Sequence, residues 1–419
     1  MAGVSIQSLK QLLHRAIWLR LPAYWRREAL FKLATTIAPR LTPGVRGAEP
    51  IIVVGALRSA TGLGESARLC HEALKARGAD VHGVDLGPSL MQPSDVEFVF
   101  SDGRSLVGPG TIIAHVNAPL MPLAINLLGR RLINGKRVVG YWAWELPRVP
   151  RDWQQGVAFV HEIWVPSLFT AEAVKSVSPG CPVRVVPHAV DTRGCCEAYH
   201  RRPAERPFTV LTMFDMGSSF ARKNPCAAVA AFRRAFGDDK SARLIIKMLN
   251  GSAFEDGRRK LAASIAGTTN IEVIEQRLDA SELARLYAGV DALISLHRSE
   301  GFGLTLAEAM LSGLPVVATN WSGNADFLSR ETGFPIGYRL VPAIDAQRTY
   351  HQPQDVWAEA DVDEAADVLR QLRADPALGR SRGDAARAFG AGAWSADAYA
   401  KAAFAALELE PRPSAPQEA

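Results

Sequence analysis

Cysteine is scarce in this chain, and its arrangement argues against a disulfide-rich or zinc-binding scaffold. The 419 residues include 5 cysteines, an odd number. The adjacent pair Cys195–Cys196 has no ligand-like counterpart elsewhere, whereas disulfide frameworks and zinc sites need paired thiols. We therefore expect reduced thiols and a cytoplasmic location.

Long apolar runs are also absent. No stretch reaches the roughly 20 residues that a membrane-spanning helix needs, and no secretory signal is evident. Basic runs with interleaved aromatic residues are missing too, so nucleic acid is not an expected partner. The formal net charge of +5 fits phosphorylated small molecules or an anionic membrane surface.

The N-terminal arm, residues 1–49, is basic and amphipathic. Apolar residues recur at helical spacing between Ile6 and Ile17, with aromatic residues nearby. A helix of this kind can lie on an anionic membrane, here through residues 1–40 on the inner face of the cytoplasmic membrane. The same pattern fits an arm packed on the protein's own body, and both interpretations stay open.

The length predicts two domains, because 419 residues exceed one ordinary core. Short apolar strands alternate with helical patterns, which is typical of α/β domains with parallel sheets. The first series has predicted strands at 51–55, 111–114, 137–141, 163–166 and 183–187. The second series has them at 208–214, 242–247, 271–274, 292–296 and 315–319.

We therefore predict two doubly wound domains. They span residues 50–203 and 204–390, and a disordered tail follows at 409–419. In such sheets ligands bind at the carboxyl ends of the strands, so we expect a ligand between the domains.

The segment 299–308 joins a predicted strand to a predicted helix and carries the strongest chemical signal. Gly301, Phe302, Gly303 and Leu304 form the junction. Glycine lets the backbone approach a ligand closely, and the free N–H groups of a helix start suit a diphosphate.

Two glutamates flank this junction. Glu300 lies in the loop, and Glu308 lies about one turn into the helix. Glu308 would accept hydrogen bonds from ribose hydroxyls, and Glu300 from hydroxyls of a transferred sugar. Alone, such a pair is better explained as helix-start carboxylates, which the helix dipole favours.

Arg222 and Lys223 lie between a predicted strand and helix of the second domain. Asn224 is a plausible helix cap, and Pro225 suits the first helical turn. The arginine can bind a phosphate bidentately, and the lysine adds a point charge. A solvated basic turn is the simpler alternative for a lone Arg-Lys pair.

Several first-domain residues are weaker candidates. Gly62 and Gly64 resemble an incomplete dinucleotide fingerprint and predict a flexible loop over the cleft, which could bind the donor phosphate or contact the acceptor. His115 ends a predicted strand, where a catalytic role and a structural role are equally plausible. Asn117, which follows it, is a candidate contact for the acceptor. For His188 we favour a structural role between the domains.

Trp142, Trp144 and Glu145 follow another strand and form either a platform for an acceptor sugar or a hydrophobic core corner. Asp361 and Asp363 have the Asp-x-Asp form of metal-dependent transferases, but helix capping explains them.

Together these residues resemble the retaining glycosyltransferases of family 4, which have the GT-B fold of two Rossmann-like domains facing a central cleft. Glu300 and Glu308 match that family's E-x7-E signature. Arg222 and Lys223 match its phosphate-binding pair, and His115 lies where its first-domain histidine falls. The resemblance covers residues 50–408, and a last helix at 391–408 would cross back to the first domain.

The resemblance implies transfer of a hexose of mannose or glucose type with retention of configuration. The co-substrate would be a GDP- or UDP-linked sugar, with no cofactor and no bound metal. His115, Glu300, Arg222 and Lys223 would be catalytic. The acceptor would be a glycan or lipid-linked glycan, as in bacterial surface polysaccharide synthesis. A nucleotide-sugar epimerase of the same fold and a non-catalytic subunit of a polysaccharide assembly complex remain the alternatives.

Overall fold

The computed structural model describes residues 31, 33–190 and 206–410. Cys195 and Cys196, the arm before residue 31 and the tail from residue 411 lie outside the described residues. The chain divides into two compact units. Of the described residues, one unit contains those up to 67 with 80–141 and 150–163, and the other contains 68–79, 142–149 and those from 164 onward.

The first sheet has six strands in the order β2-β1-β3-β4-β5-β6. Its strands are β1 Ile51–Gly55, β2 Val81–Asp85, β3 Gly110–Ala114, β4 Lys136–Tyr141, β5 Glu162–Val165 and β6 Val183–Val185. Strand β1 pairs in parallel with β2 and β3, and β3 pairs in parallel with β4. Every residue of β1 and β3 is buried, as expected of apolar runs in a parallel sheet covered on both faces.

Helices connect these strands. They are α1 Gly62–Ala76, α2 Met121–Ile133, α3 Gln154–Val157 and α4 Leu168–Lys175. Helix α4 begins at a serine cap, because Ser167 accepts the N–H of Thr170. No helix within the described ranges has the length and apolar character needed to span a bilayer.

The second sheet also has six strands, in the order β12-β11-β10-β7-β8-β9. They are β7 Phe208–Asp215, β8 Ala242–Leu249, β9 Ile271–Ile274, β10 Ala292–Ser295, β11 Val316–Thr319 and β12 Phe334–Ile336. All five strand pairs are parallel. Alternate residues face opposite sides, so Val210 packs in one apolar cluster and Leu211 in another.

The helices of this part are α5 Phe220–Lys223, α6 Pro225–Phe236, α7 Glu255–Ile265, α8 Ala280–Ala288 and α9 Leu304–Leu311. The α/β class and the two parallel sheets predicted from the sequence are confirmed. The domain boundaries stay predictions.

An antiparallel hairpin, absent from the sequence prediction, follows the second sheet. Its strands are β13 Tyr338–Ala343 and β14 Gln352–Ala360. Pro342 and Pro353 lie within these strands, and proline argues against a strand when only the sequence is considered.

The chain then forms α10 Val362–Ala374, α11 Pro376–Ala393 and α12 Ala396–Leu407. Asp361 caps α10, because its carboxylate accepts the N–H groups of Asp363 and Glu364. The capping explanation of the Asp-x-Asp sequence is therefore confirmed.

The predicted helix at 391–408 differs from the observed one. Residues 391–393 belong to α11, Trp394 ends that helix, and Ser395 caps α12 by accepting the N–H of Ala398. Helix α12 forms an ion pair from Asp397 to Arg77, which follows α1.

Candidate functional site

The loop after β10 carries Glu300 and is buried. Gly303 precedes α9 with φ +102°, a left-handed conformation that favours glycine. A Cβ atom on Gly301 would lie 3.2 Å from the carbonyl oxygen of Trp144, so the backbone segments at Gly301 and Trp144 pass close to each other. The N–H groups at the start of α9 follow this glycine-rich turn, as predicted.

The loop after β11 fixes the backbone of Glu300 at both ends. The Glu300 N–H donates to Ser322 Oγ at 2.7 Å, and the Gly323 N–H donates to the Glu300 carbonyl at 2.9 Å. A Cβ atom on Gly323 would lie 2.2 Å from the carbonyl oxygen of Gly301. Glycine is therefore required at position 323 for this approach of two loops.

His297 lies at the beginning of the loop after β10, and its role was not predicted from the sequence. Its Nε2 lies 2.9 Å from Asn324 Oδ1, and its carbonyl accepts the Thr319 hydroxyl at 2.7 Å. Burial lowers the pKa of His297, with the charge of Glu300 opposing that effect. The histidine thus links the loops after β10 and β11 as a buried neutral group.

Both predicted cations contact Glu300. Lys223 Nζ lies 2.5 Å from Glu300 Oε1, and Arg222 Nη1 lies 3.1 Å from Oε2. They come from α5, which directly precedes α6. The structure therefore brings together three of the four residues predicted to be catalytic.

The two cations differ in which partners their N–H groups contact. Arg222 is 3% exposed and donates to the carbonyls of Ser299 at 2.9 Å and Ser218 at 3.0 Å. Three of its N–H donors thus contact the protein, counting that of Nη1 to Glu300, and the expected bidentate phosphate contact stays a prediction. Lys223 keeps 20% of its side chain exposed and is the better placed of the two to meet an anion directly.

These contacts determine the charge of the site. Burial raises the pKa of Glu300, but the charges of Lys223 and Arg222 outweigh it and lower the pKa to about 2. Burial disfavours the charged form of Arg222, yet Glu300 holds its pKa above the ordinary value. Glu300 and Arg222 are therefore both ionised at neutral pH.

Asn224 occupies the position before α6 but does not cap it with its side chain. Its backbone is left-handed at φ +50°, and its amide donates instead to the Leu296 carbonyl at 3.1 Å. Pro225 starts the helix as predicted. The cap prediction for the Asn224 side chain is therefore wrong, because that side chain ties the turn to the end of β10.

The second glutamate lies apart from this ion pair. Glu308 is half-buried on α9 and accepts the Tyr287 hydroxyl at 3.0 Å. Phe302 is buried in the core, so only its backbone is available to a ligand, and Leu304 is half-buried beside it.

His188 lies in the same unit and is buried. Its ring meets Phe302 edge-on at 5.0 Å between centroids. Burial lowers the pKa of His188 to about 3, so it is neutral at physiological pH.

In the first unit, His115 directly follows β3 and is 2% exposed. Its Nδ1 lies 2.8 Å from Ser66 Oγ, and its ring stacks on Tyr141 at 4.6 Å. Ser66 on α1 was not predicted, since its contact joins residues 49 positions apart. The hydrogen bond and the stacking fix the orientation of the imidazole.

Gly62 and Gly64 lie in the first turn of α1, not in a flexible loop. The helix begins at Gly62, and Thr61 Oγ1 accepts the Gly64 N–H at 3.3 Å in its first turn. A Cβ atom on Gly64 would lie 2.4 Å from the Ser59 carbonyl oxygen.

The tryptophans are buried. Trp142 is fully buried, and Trp144 is 8% exposed with its indole N–H donating to the Arg148 carbonyl. Burial favours the core-corner alternative, because a sugar stacks on exposed ring faces. Glu145 and Asn117 are half-buried.

Comparison with known proteins gives one family match and one short relative. The sequence model of a protein family, described as family 4 glycosyltransferases in conflict systems, matches residues 167–395 of this chain. ORF313 of Acidianus filamentous virus 1, described as a glycosyltransferase, is 32% identical over 96 residues. That match covers 23% of this chain and 29% of ORF313, so it spans less than a third of that relative.

Solved structures share the fold. Sucrose-phosphate synthase of Thermosynechococcus elongatus superposes with a TM-score of 0.61 and 18% identity over 86% of this chain and 98% of its own. Anabaena Alr3699/HepE, solved with UDP and glucose, has a TM-score of 0.61 and 14% identity over 86% and 100%. A TarM variant of S. aureus has a TM-score of 0.51 and 12% identity over 71% of this chain, which spans 55% of that protein.

Proposed function

The chain belongs to family 4 of the glycosyltransferases, and from this premise we propose that it transfers a hexose from a nucleoside-diphosphate sugar with retention of configuration. The observation that carries the proposal is the cluster of Glu300, Arg222 and Lys223 beside the start of α9. Alr3699/HepE was solved with UDP and glucose, which supports a UDP-linked donor of glucose type, with GDP-mannose as the second donor to test.

The charges of this site suit a departing diphosphate. A group that leaves as an anion is stabilised by fixed donors in a site that needs no reorganisation. Lys223 supplies a partly exposed ammonium, and the N–H groups after Gly303 supply the positive end of a helix dipole. Arg222 acts indirectly, because its contact with Glu300 keeps that carboxylate ionised and in place.

We assign the remaining residues by chemistry. Ionised Glu300 accepts hydrogen bonds from hydroxyls of the transferred sugar, and Glu308 accepts them from the ribose. His115 contacts a sugar hydroxyl, with Ser66 fixing its ring. The departing phosphate oxygen takes the acceptor proton, so the mechanism requires neither a protein nucleophile nor a metal.

Incubation with UDP-glucose or GDP-mannose and a lipid-linked glycan acceptor tests the proposal. Chromatography should show a glycosylated acceptor, and NMR of its anomeric proton should show the anomeric configuration of the donor. An epimerised nucleotide sugar with no glycosylated acceptor would establish the epimerase alternative instead.

A surface of the first unit supports the proposal of a lipid-linked acceptor and a location at the membrane. Arg130, Arg131 and Asn134 line a groove of about 540 Å³ with Val107 and Gly108. Segment 33–37 contacts helix α2, which carries Arg130 and Arg131, because the Ala34 carbonyl accepts the Asn126 amide at 2.9 Å. The segment exposes Leu33 and Ile37. Exposed apolar and basic groups together suit an anionic membrane, where lipid-linked acceptors reside.

Sedimentation with phosphatidylserine vesicles tests this surface. Deletion of residues 1–30 leaves the packed segment in place, and a variant with Arg130→Glu and Arg131→Glu reverses the charge of the groove. Both should weaken vesicle binding, whereas Arg339→Glu on β13 should not. If both variants bind vesicles as the wild type does, the arm is a structural element and not a membrane contact.

A further inference from the structure

A loop from the unpredicted hairpin lies against the cation-bearing turn. This loop, residues 344–351, connects β13 to β14, and we refer to it as the strap. Asp345 is 1% exposed, and its carboxylate accepts the N–H groups of Gln347 at 3.1 Å and Tyr350 at 3.0 Å. One buried carboxylate therefore fixes the strap's conformation.

Gln347 binds the strap to the turn that precedes the two cations. Its Oε1 accepts the Phe220 N–H at 2.6 Å, and its Nε2 donates to the Met216 carbonyl at 2.9 Å. Phe220 is the first residue of α5, which ends with Arg222 and Lys223. A single amide thus holds the turn at two points, and the Phe220 N–H is one of the donors that a helix start leaves without an intrahelical acceptor.

Tyr350 reaches the arginine itself. Its ring centroid lies 5.1 Å from Arg222 Cζ, within the range of a cation–π interaction. The same ring packs on Trp144 at 5.3 Å, and its hydroxyl donates to Glu145. The tyrosine is 8% exposed, so the arginine has an aromatic face on one side and the Ser299 and Ser218 carbonyls as acceptors.

We propose that Tyr350 and Gln347 are positioning residues for glycosyl transfer, an inference that rests on the proposed function. Arg222 contacts Glu300 at 3.1 Å, so its orientation determines where the carboxylate lies relative to Lys223. Without the aromatic face or the amide, the arginine and the turn gain other arrangements. Since electrostatic stabilisation of a leaving group depends on fixed geometry, the loss falls on the transfer step and not on donor binding.

Two substitutions of Tyr350 separate its ring from its hydroxyl. Tyr350→Leu removes the aromatic face, and Tyr350→Phe keeps it while removing the bond to Glu145. With UDP-glucose and GDP-mannose as donors, we expect Tyr350→Leu to lower kcat about tenfold, equivalent to ~1.4 kcal/mol. The KM for the donor should change less than about twofold, since binding is not the step affected. Tyr350→Phe should restore kcat to near the wild-type value.

Tyr338→Leu, on the exposed strand β13, is the matched control and should leave kcat and KM unchanged. The proposal is overturned if Tyr350→Leu keeps the wild-type kcat. It is also overturned if Phe is as inactive as Leu, or if KM rises in parallel with the loss of kcat.

Amide hydrogen exchange provides a measurement that needs no donor. In Gln347→Ala, the amides of residues 216–223 should exchange at least about tenfold faster than in the wild type, because opening of the turn becomes easier. Unchanged exchange would overturn the strap's role even in an active enzyme. Faster exchange in a protein that transfers no sugar from either donor would instead refute the proposed function and leave the structural link intact.

Discussion

Lys223 Nζ lies 2.5 Å from Glu300 Oε1, although 77 residues separate the two in sequence. The lysine ends a short helix after β7, and the glutamate lies in the loop after β10, the neighbouring strand in the sheet. Adjacent parallel strands place their carboxyl ends side by side, so the pairing follows from the strand order. The pair is the centre of the proposed donor site.

Removal of either charge should therefore reduce transfer. We expect Glu300→Gln, which keeps the shape of the side chain, and Lys223→Ala to lower kcat/KM by at least about 30-fold, or ~2 kcal/mol. Steady-state kinetics with the active donor measures the loss. Glu272→Gln is the control, because Glu272 forms an exposed ion pair with Arg243 on the same sheet. Wild-type kinetics in both Glu300→Gln and Lys223→Ala would show that transfer does not depend on this ion pair.

Glu300 should also contribute to stability in one pH range. Its folded pKa of about 2 is below the ordinary value of 4.5, because the charges of Lys223 and Arg222 outweigh burial. The ionised carboxylate therefore stabilises the fold above pH 4.5, and this contribution disappears as the pH falls through about 2. Denaturant unfolding between those values should show a weaker pH dependence in Glu300→Gln than in the wild type. Parallel curves would contradict the assignment.

His188 should act in a different pH range. Burial lowers its folded pKa to about 3 from an ordinary value of 6.5, so the unfolded chain binds the extra proton first. Stability should therefore fall as the pH drops from 6.5 towards 3, by up to about 1.4 kcal/mol per pH unit. His188→Asn should remove that slope in denaturant unfolding. His82→Gln should retain it, because His82 bonds the exposed Asp80 at the surface.

Local sequence patterns were sufficient for most strands of both sheets. Buried parallel strands are short apolar runs, so Ile51–Gly55 and Ile271–Ile274 were predicted with their observed bounds. The edge strand Val81–Asp85 was missed, because His82 and Asp85 break its apolar character.

Contacts between residues that are far apart in the sequence could not be predicted from it. The hairpin β13–β14 combines prolines with polar residues, so its strands form through pairing with each other. Arg222 was identified as a cation, but its bonds to Ser299 and Tyr350 depend on the packing of three separate loops. The cluster of Glu300, Arg222 and Lys223 was thus predictable from the sequence, whereas the hydrogen-bond partners of each side chain were not.

Gly323 offers a test of the packing around the Glu300 loop. Its missing Cβ would lie 2.2 Å from the Gly301 carbonyl oxygen, a backbone atom that cannot move alone. Gly323→Ala should displace the loop, lower the unfolding free energy by about 1–3 kcal/mol and weaken UDP binding in calorimetry. Gly392→Ala is the control, since no atom lies within 4 Å of the position that its methyl group would take and helix α11 favours alanine. A Gly323→Ala protein with wild-type stability would show that the two loops separate easily.

Glu308 was predicted to contact the ribose, and a nucleotide lacking ribose hydroxyls tests that role directly. If the carboxylate accepts these hydroxyls, the wild type should bind UDP more tightly than 2′,3′-dideoxy-UDP by about 1.5–3 kcal/mol, the usual range for a bond to a charged group. Glu308→Ala should bind both nucleotides with similar affinity in calorimetry. Tyr287→Phe removes the 3.0 Å bond to Glu308 but keeps the carboxylate, so it should preserve most of the discrimination. Equal discrimination in the wild type and Glu308→Ala would place the ribose elsewhere, because a contact to its hydroxyls cannot persist without the acceptor.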